Sequence, residues 1–221
     1  MNAVPSASPV ASAPVSVGNP RRRFAERRRT TKETSIVVGV DIDGTGVVDV
    51  ATGIPFFDHM LSQLGKHGGW DLTVRCTGDL EIDTHHTIED VGIALGETIR
   101  EALGDKAGVR RFASIAVPLD EALIDVALDL SGRPFLVYEV DPSGGRGESF
   151  LLGEPGFDPQ LAEEFWRALG TAAMVTLHVR MISGKNTHHI IEASFKAVAR
   201  ALRDAVRIES PGGVPSTKGV L

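Results

Sequence analysis

Two short segments of the sequence combine paired histidines with a glutamate. Residues 84–89 read THHTIE and residues 187–192 read THHIIE, so both follow the pattern T-H-H-x-I-E, 103 residues apart. On a helix, the first histidine and the glutamate are four residues apart and can reach one cation from the same face. Adjacent histidines point about 100° apart around a helix, so each motif should serve two metal ions. We therefore expect each ion to be completed by residues from the other repeat or from another subunit.

Two further candidate ligands precede the motifs. His59 stands 26 residues before His85, and Glu164 stands 24 residues before His188. Each lies on a predicted helix that should pack beside a motif helix. Cys76 is the one cysteine of the chain, which excludes a cysteine metal cluster and an internal disulfide. Mixed histidine and carboxylate ligation suits manganese, iron or zinc, and the choice among them stays open.

A group of basic residues points to an anionic substrate. Lys196 lies eight residues after His188, about two helical turns along the same face. Ser216 and Lys218 belong to residues 215–219 (PSTKG), which follow two flexible glycines. Serine hydroxyls and lysine ammonium groups donate hydrogen bonds to phosphate. We expect this C-terminal segment to close over a phosphorylated substrate.

The predicted strands and helices that position these residues form a unit that occurs twice in the chain. In the first copy, alternation and turn residues predict a β-hairpin over residues 35–50, a helix over 55–65, a strand over 70–76 and a helix over 84–103. In the second copy they predict strands over 114–117, 123–130 and 133–140, a helix from 158, a strand over 175–182 and a helix over 187–206. Thr84 and Thr187 are the expected N-caps of the two motif helices. The predicted fold class is α+β, with two similar halves from an internal duplication, each a β-sheet with helices packed on one face.

Composition and charge divide the chain further. Residues 1–26 form an Ala/Pro/Ser and Arg-rich leader that we expect to be disordered, the repeats cover 27–104 and 105–207, and 208–221 form the substrate-closing tail of one catalytic domain. Residues 1–32 hold seven basic residues and one acidic residue, which leaves 16 basic and 28 acidic residues in the remainder. So acidic a body should not bind nucleic acid. The sequence has neither a membrane-spanning apolar run nor a secretory signal, and with a single cysteine it fits the cytoplasm.

Four motifs, in order, closely resemble the imidazoleglycerol-phosphate dehydratase family. They are residues 55–61 (PFFDHML), 83–90 (DTHHTIED), 184–192 (GKNTHHIIE) and 215–219 (PSTKG), and the resemblance extends over about residues 27–221. It implies a dimanganese enzyme of histidine biosynthesis that removes water from imidazole glycerol phosphate to give imidazole acetol phosphate. It also implies duplicated halves and a homo-oligomer, an octahedral assembly of twenty-four subunits.

The resemblance also assigns roles to individual residues. The family's metal ligands correspond to His59, His85, His86, Glu89, Glu164, His188, His189 and Glu192. Its substrate and phosphate contacts correspond to Gln63, Arg111, Arg133, Lys196, Ser216 and Lys218, and its catalytic glutamate corresponds to Glu33. At Glu164 the family pattern has a histidine, so this chain departs from it at one ligand position.

The implied reaction needs an electron sink, because the proton to be removed is not next to a carbonyl. Two divalent metals, manganese by the resemblance, would hold the substrate as an imidazolate and let its ring expel hydroxide. Glu33 would be the acid–base group, a role that typically contributes about 10²- to 10⁴-fold in rate. The structural alternative for Glu33 is a salt bridge to Lys32 or Arg29.

Two other functions use the same ligand types. A metallohydrolase would use a water activated by two metals to cleave a phosphoester or amide. A non-catalytic metal-binding cage would need the histidines and carboxylates, but neither the basic residues nor Glu33. Formation of imidazole acetol phosphate with and without manganese discriminates among the three.

Overall fold

The first half of the chain is a four-stranded sheet covered by two helices. In the computed structural model, which describes residues 22–147, 150–209 and 212–221, its elements are β1 (Phe24–Thr30), β2 (Thr34–Asp41), β3 (Val48–Ala51), α1 (Pro55–Gly68), β4 (Asp71–Gly78) and α2 (His85–Leu103). The strand order is β1-β2-β4-β3. Strand β2 is antiparallel to both of its neighbours, whereas β3 runs parallel to β4.

The second half repeats this arrangement. Its elements are β5 (Phe112–Leu119), β6 (Ala122–Asp129), β7 (Phe135–Glu139), α3 (Leu161–Ala173), β8 (Thr176–Ser183) and α4 (Thr187–Ala205). The strand order is β5-β6-β8-β7, again with one parallel pair, between β7 and β8. The predicted fold class, α+β with two similar halves, is confirmed.

The helices lie between the two sheets. Helix α2 packs on β1 and β2, and α4 packs on β5 and β6, so each sheet buries one face against its own helices. In β6 this face carries Ala122, Ile124, Val126 and Leu128, all buried, at every second position. Across the middle of the molecule α2 packs on α3 and α1 packs on α4. The two halves therefore meet through the helices that carry the candidate ligands.

Two glycines allow α2 and α3 to approach closely. A Cβ atom at Gly96 would lie 2.5 Å from the carbonyl oxygen of Leu169, and one at Gly92 would lie 2.9 Å from Cβ of Ala168. Because glycines at i and i+4 share a helix face, they form one smooth strip against α3. This contact places the start of α2, with its motif histidines, beside the start of α3.

The predicted hairpin over residues 35–50 is wrong. Strand β3 does not pair with β2 but lies parallel to β4, and β4 separates the two. The reason is a side-chain bridge: the Asp71 carboxylate accepts hydrogen bonds from the backbone N–H groups of Thr45 and Val47, at 2.8 and 3.0 Å. These bonds hold the turn against the start of β4. Helix α1 also runs past the expected end at Gly65 to Gly68.

The true hairpin partner of β2 is β1, which was not predicted as a strand. Strand β1 begins at Phe24, so the first repeat starts inside the predicted leader over residues 1–26. Two of its three arginines pair with acidic residues on α2: Arg27 with Glu101, and Arg29 with Asp90. Residues 1–21 of the leader lie outside the described residues. No helix in the described ranges is both long and apolar enough to cross a membrane.

Candidate active site

One group of candidate ligands is assembled from both halves. Nε2 of His59, on α1, lies 3.2 Å from Oε2 of Glu192, and Nε2 of His188 lies 2.8 Å from the same oxygen. The ligand atoms of these three residues, the His59 group, all lie within 4.8 Å of one another. Because α1 belongs to the first half and α4 to the second, the packing of α1 on α4 creates the group.

Glu192 is a buried carboxylate with a strong electrostatic environment. Burial acts to raise the pKa of Glu192, but hydrogen bonds from Lys196 and the two histidines outweigh burial and lower the pKa to about 2. Nζ of Lys196 lies 2.6 Å from Oε1, one turn further along α4. The side chain is therefore an anion at neutral pH, with one oxygen facing two imidazole nitrogens. Two imidazole nitrogens and one carboxylate oxygen form a donor set that suits a divalent cation.

The related residues of the other motif form a second, looser group. Nε2 of His85 lies 3.8 Å from Oε2 of Glu89 on the same face of α2. Glu164, from α3, lines a cavity of about 270 Å³ together with His85. We call His85, Glu89 and Glu164 the Glu164 group. Like the His59 group, it takes one residue from one half and two from the other.

The second histidine of each motif points away from these groups. Nδ1 of His86 lies 3.0 Å from Oδ2 of Asp79, and Nδ1 of His189 lies 2.8 Å from Oε2 of Glu121. The hydrogen bond to Asp79 raises the pKa of His86. Among the described residues, the structure thus brings three of the eight predicted ligands within reach of one ion, and it places Glu164 on the same cavity as His85. The expected divergence of adjacent histidines is found in both motifs.

Asn186, and not a threonine, caps α4. Its side-chain oxygen accepts hydrogen bonds from the backbone N–H groups of His188 and His189. At α2 the backbone N–H of His85 donates to Asp83, and Thr84 makes no capping bond. The predicted cap Thr187 is therefore wrong, and Thr84 stands at the N-cap position of α2 without the expected side-chain bond. A carboxylate or amide just before the helix satisfies the N–H groups of the histidines themselves.

Glu33 lies in the short turn between β1 and β2. Its backbone N–H donates to Oγ1 of Thr31, and its half-exposed carboxylate lies 4.0 Å from Nε2 of His86. The alternative salt bridge to Arg29 is not formed, because Arg29 pairs with Asp90 at 2.7 Å. The geometry leaves the Glu33 carboxylate beside a motif histidine and open to solvent.

The predicted substrate residues fall in two places. Gln63 lies on α1 with Nε2 3.5 Å from Nδ1 of His59, and Lys196 contacts Glu192, so both adjoin the His59 group. The other four are Arg111 and Arg133 of the second half and Ser216 and Lys218 of the tail, and Arg111 contacts the tail. Among the described residues, no hydrogen bond or ion pair joins Lys196 to Ser216 or Lys218.

The tail is held on the second half by Arg111. The Arg111 guanidinium pairs with Asp129 at 2.7 Å and donates to the carbonyl oxygen of Pro215 at 2.8 Å. The hydrogen bond from Arg111 therefore fixes the start of residues 215–219. Oγ of Ser216 accepts from the backbone N–H of Lys218. Arg133 follows β6 and donates to a backbone carbonyl at Ser131.

Comparison with known proteins identifies the family of this chain. The family model for imidazoleglycerol-phosphate dehydratase matches residues 52–202, about two thirds of the chain and all of both motifs. The chain belongs to the imidazoleglycerol-phosphate dehydratase family. The family's enzymes are hydro-lyases of histidine biosynthesis, and that is the class of this chain.

Relatives in the family match nearly the whole chain. An imidazoleglycerol-phosphate dehydratase of Acidothermus cellulolyticus is 54% identical over 96% of this chain and 99% of its own length. One of Frankia casuarinae is 56% identical over 90% and 99%. Among solved structures, the Pyrococcus furiosus enzyme, crystallised in complex with (S)-C348, is 37% identical, with a TM-score of 0.74 over 88% of this chain and all of that one. The Staphylococcus aureus enzyme is 34% identical, with a TM-score of 0.73.

Three polar residues of the site were not identified from the family motifs. Asp79 and Glu121 hold Nδ1 of the second motif histidines, and Asn186 caps α4. Asp79 lies three residues after the predicted strand over 70–76, and Asn186 directly precedes the second T-H-H-x-I-E segment, so their positions were a usable signal. For Glu121 the sequence carries no such signal, because its partner His189 lies 68 residues away.

Proposed function

We propose that this chain is a metal-dependent dehydratase that converts imidazole glycerol phosphate to imidazole acetol phosphate and water. The observation that carries the metal dependence is the His59 group, in which two imidazoles from different halves face one buried carboxylate oxygen. A buried carboxylate with two imidazole nitrogens beside it is the arrangement expected of a cation site. The family membership supplies the reaction.

Two divalent ions per active site, manganese in our proposal, are held by the eight residues His59, His85, His86, Glu89, Glu164, His188, His189 and Glu192. The His59 and Glu164 groups each supply three ligands. We propose that the fourth ligand of each ion is His86 or His189 of a neighbouring subunit. Support comes from the orientation of these two rings away from the groups of their own chain.

This ligand exchange requires a homo-oligomer, for which we propose the octahedral assembly of twenty-four subunits. Phe24 and Phe112 are both exposed, at the first positions of β1 and β5. Exposed aromatic residues at matching places in the two halves are suited to an interface between subunits. The single cysteine, Cys76, which is partly buried, is consistent with a proposed location in the cytoplasm.

The protein residues perform three tasks in the proposed reaction. The metal ions, when bound, would supply positive charge that makes the substrate ring a better electron sink. The carbon attached to the ring loses hydroxide, and the Glu33 carboxylate accepts the proton from the neighbouring carbon, which gives the enol of the product. Phosphate is held by Arg111, Arg133, Lys196, Ser216 and Lys218, with Gln63 beside the ring.

The test is an assay of the purified full-length chain with imidazole glycerol phosphate, with and without manganese. We expect imidazole acetol phosphate only with the metal, and His59→Ala should reduce its formation to background. Release of inorganic phosphate would instead identify a metallohydrolase. Tight manganese binding without turnover would identify a metal-binding cage.

A further inference from the structure

The second histidines of the two motifs are held by carboxylates from different parts of the fold. Asp79, the first residue after β4, contacts Nδ1 of His86. Glu121, in the turn between β5 and β6, contacts Nδ1 of His189. The two halves otherwise share their topology, so this exchange of supporting residues needs a physical reason.

Glu33 and Glu121 occupy the same position in the two halves. Each is the last residue of a hairpin turn, directly before β2 or β6. In the second half Glu121 lies against the motif helix: besides His189, it accepts hydrogen bonds from the backbone N–H groups of Lys185 and Asn186, at 3.1 and 2.7 Å. Within the described ranges, the Glu33 carboxylate accepts no hydrogen bond.

The second half has no room for a counterpart of Asp79. The first residue after β8 is Gly184. A Cβ atom at Gly184 would lie 2.6 Å from Cγ1 of Ile190, a buried residue in the first turn of α4. A carboxylate cannot stand there without displacing that isoleucine. The supporting acceptor for His189 must therefore come from the hairpin turn, and Glu121 provides it.

We propose that Asp79 and Glu121 are positioning residues that fix the tautomer and ring orientation of His86 and His189. Each carboxylate accepts a hydrogen bond from the Nδ1–H group, which leaves the Nε2 lone pair for a cation. Because Asp79 supports His86 in the first half, the hairpin glutamate of that half, Glu33, is released for acid–base work. This inference rests on the proposed function, in which both histidines are ligands.

The physical basis is the effect of an acceptor on an imidazole ligand. A carboxylate at one ring nitrogen makes the other nitrogen more basic and restricts ring rotation, and loss of such a partner typically weakens metal binding by about 10- to 100-fold. A hairpin glutamate that makes this contact cannot also approach a substrate. Substitution of Glu121 should thus change the affinity for manganese, whereas substitution of Glu33 should change kcat.

The experiment compares Asp79→Asn, Glu121→Gln and Glu33→Gln with wild type and with Glu81→Gln, an exposed carboxylate that contacts no histidine. The full-length chain is stripped with a chelator and titrated with manganese, and free ion is measured by electron paramagnetic resonance. We expect Asp79→Asn and Glu121→Gln to raise the Kd for manganese about 10-fold or more. Glu33→Gln and Glu81→Gln should stay within about twofold of wild type.

A second readout separates positioning from catalysis and from misfolding. At saturating manganese, Glu121→Gln should recover most of its kcat, whereas Glu33→Gln should not, and Asp79→Glu should bind manganese more tightly than Asp79→Asn. Unchanged manganese affinity in both Asp79→Asn and Glu121→Gln would overturn the inference and leave the proposed function intact. A wild-type chain that binds no manganese would instead overturn the proposed function.

Discussion

The two halves of the molecule share a strand order but fasten their first hairpin to the motif helix by different means. In the first half Arg29, on β1, pairs with Asp90, on α2, and Oγ1 of Thr34 donates to the same carboxylate at 2.6 Å. The matching positions of the second half are Val117 and Ala193, which are apolar. One topology therefore tolerates either a buried ion pair or apolar contact at this junction.

The same contrast extends to the end of the chain. Arg23 and Arg111 precede β1 and β5 at matching positions, and each donates to a backbone carbonyl beyond α4: Arg23 to Val206 and Arg111 to Pro215. Duplication preserved the arginine, while the segment it holds differs. The comparison shows that backbone topology and ligand spacing are the retained features, and that supporting contacts have diverged around them.

The largest expected effect tests whether the halves depend on each other for metal. Because each ligand group crosses between halves, and because we propose a fourth ligand from another subunit, chelation should abolish activity and dissociate the assembly together. Light scattering of the chelated protein measures the mass. Full oligomeric mass without metal would show that the ligands are not shared between subunits.

The next effect sharpens the contrast between the hairpin glutamates. Glu33→Gln keeps the shape of the side chain but removes its proton-accepting group, so kcat should fall about 10²- to 10⁴-fold. Substrate should still bind, because the metal and phosphate contacts remain, so KM changes little. Steady-state kinetics measure both. A large rise in KM with nearly unchanged kcat would make Glu33 a substrate-positioning residue.

Removal of the tail, which Arg111 holds on the second half, should have a smaller effect on activity. Truncation before Pro215 removes the hydroxyl and ammonium donors of Ser216 and Lys218, and KM should rise about 10- to 100-fold. The double variant Ser216→Ala, Lys218→Ala, which keeps the backbone, is the matched control and should reproduce most of the rise. Manganese content, measured by elemental analysis, should not change in either protein. Unchanged kinetics would remove both residues from the site.

The smallest expected effect is on the free energy of unfolding, when the ion pair between β1 and α2 is removed. Burial acts to raise the pKa of Asp90, but hydrogen bonds from Thr34 and Arg29 outweigh burial and lower the pKa. A group with a lowered folded-state pKa stabilises the fold above its ordinary value, about 3.9, and loses this contribution as pH falls further. Asp90→Asn should therefore lower the free energy of unfolding by about 1–3 kcal/mol at pH 7.

The difference between Asp90→Asn and wild type should shrink below about pH 4, near the ordinary pKa of aspartate. Urea unfolding of the chelated protein at several pH values measures it. Val117→Ala, at the matching junction of the second half, is the control, and its smaller loss should not depend on pH. A pH-independent loss for Asp90→Asn would mean that the ion pair contributes only packing.

The repeated motif was the most informative part of the sequence. It indicated the duplication, both motif helices and the divergence of adjacent histidines, because the helical period alone determines which side chains share a face. The pairing of β3 with β4 could not be predicted from the sequence pattern. Its partner β4 begins 20 residues later, and the bridge from Asp71 that holds the turn depends on tertiary structure.

Strand β1 was missed because three consecutive arginines in residues 27–29 are typical of a solvated segment. The structure neutralises two of them with acidic residues on α2. The repeat itself offered the missing signal, since β5 has a counterpart 88 residues earlier. The supporting roles of Asp79 and Glu121 depend on loop geometry that differs between the halves, so the motif spacing did not reveal them.

In the proposed enzyme, each metal ion is held by residues from both halves of the chain. Anomalous diffraction from manganese-loaded crystals tests it directly. We predict two peaks for each chain, one among His59, His188 and Glu192 and the other among His85, Glu89 and Glu164. Peaks whose protein ligands come from one half alone would contradict the account.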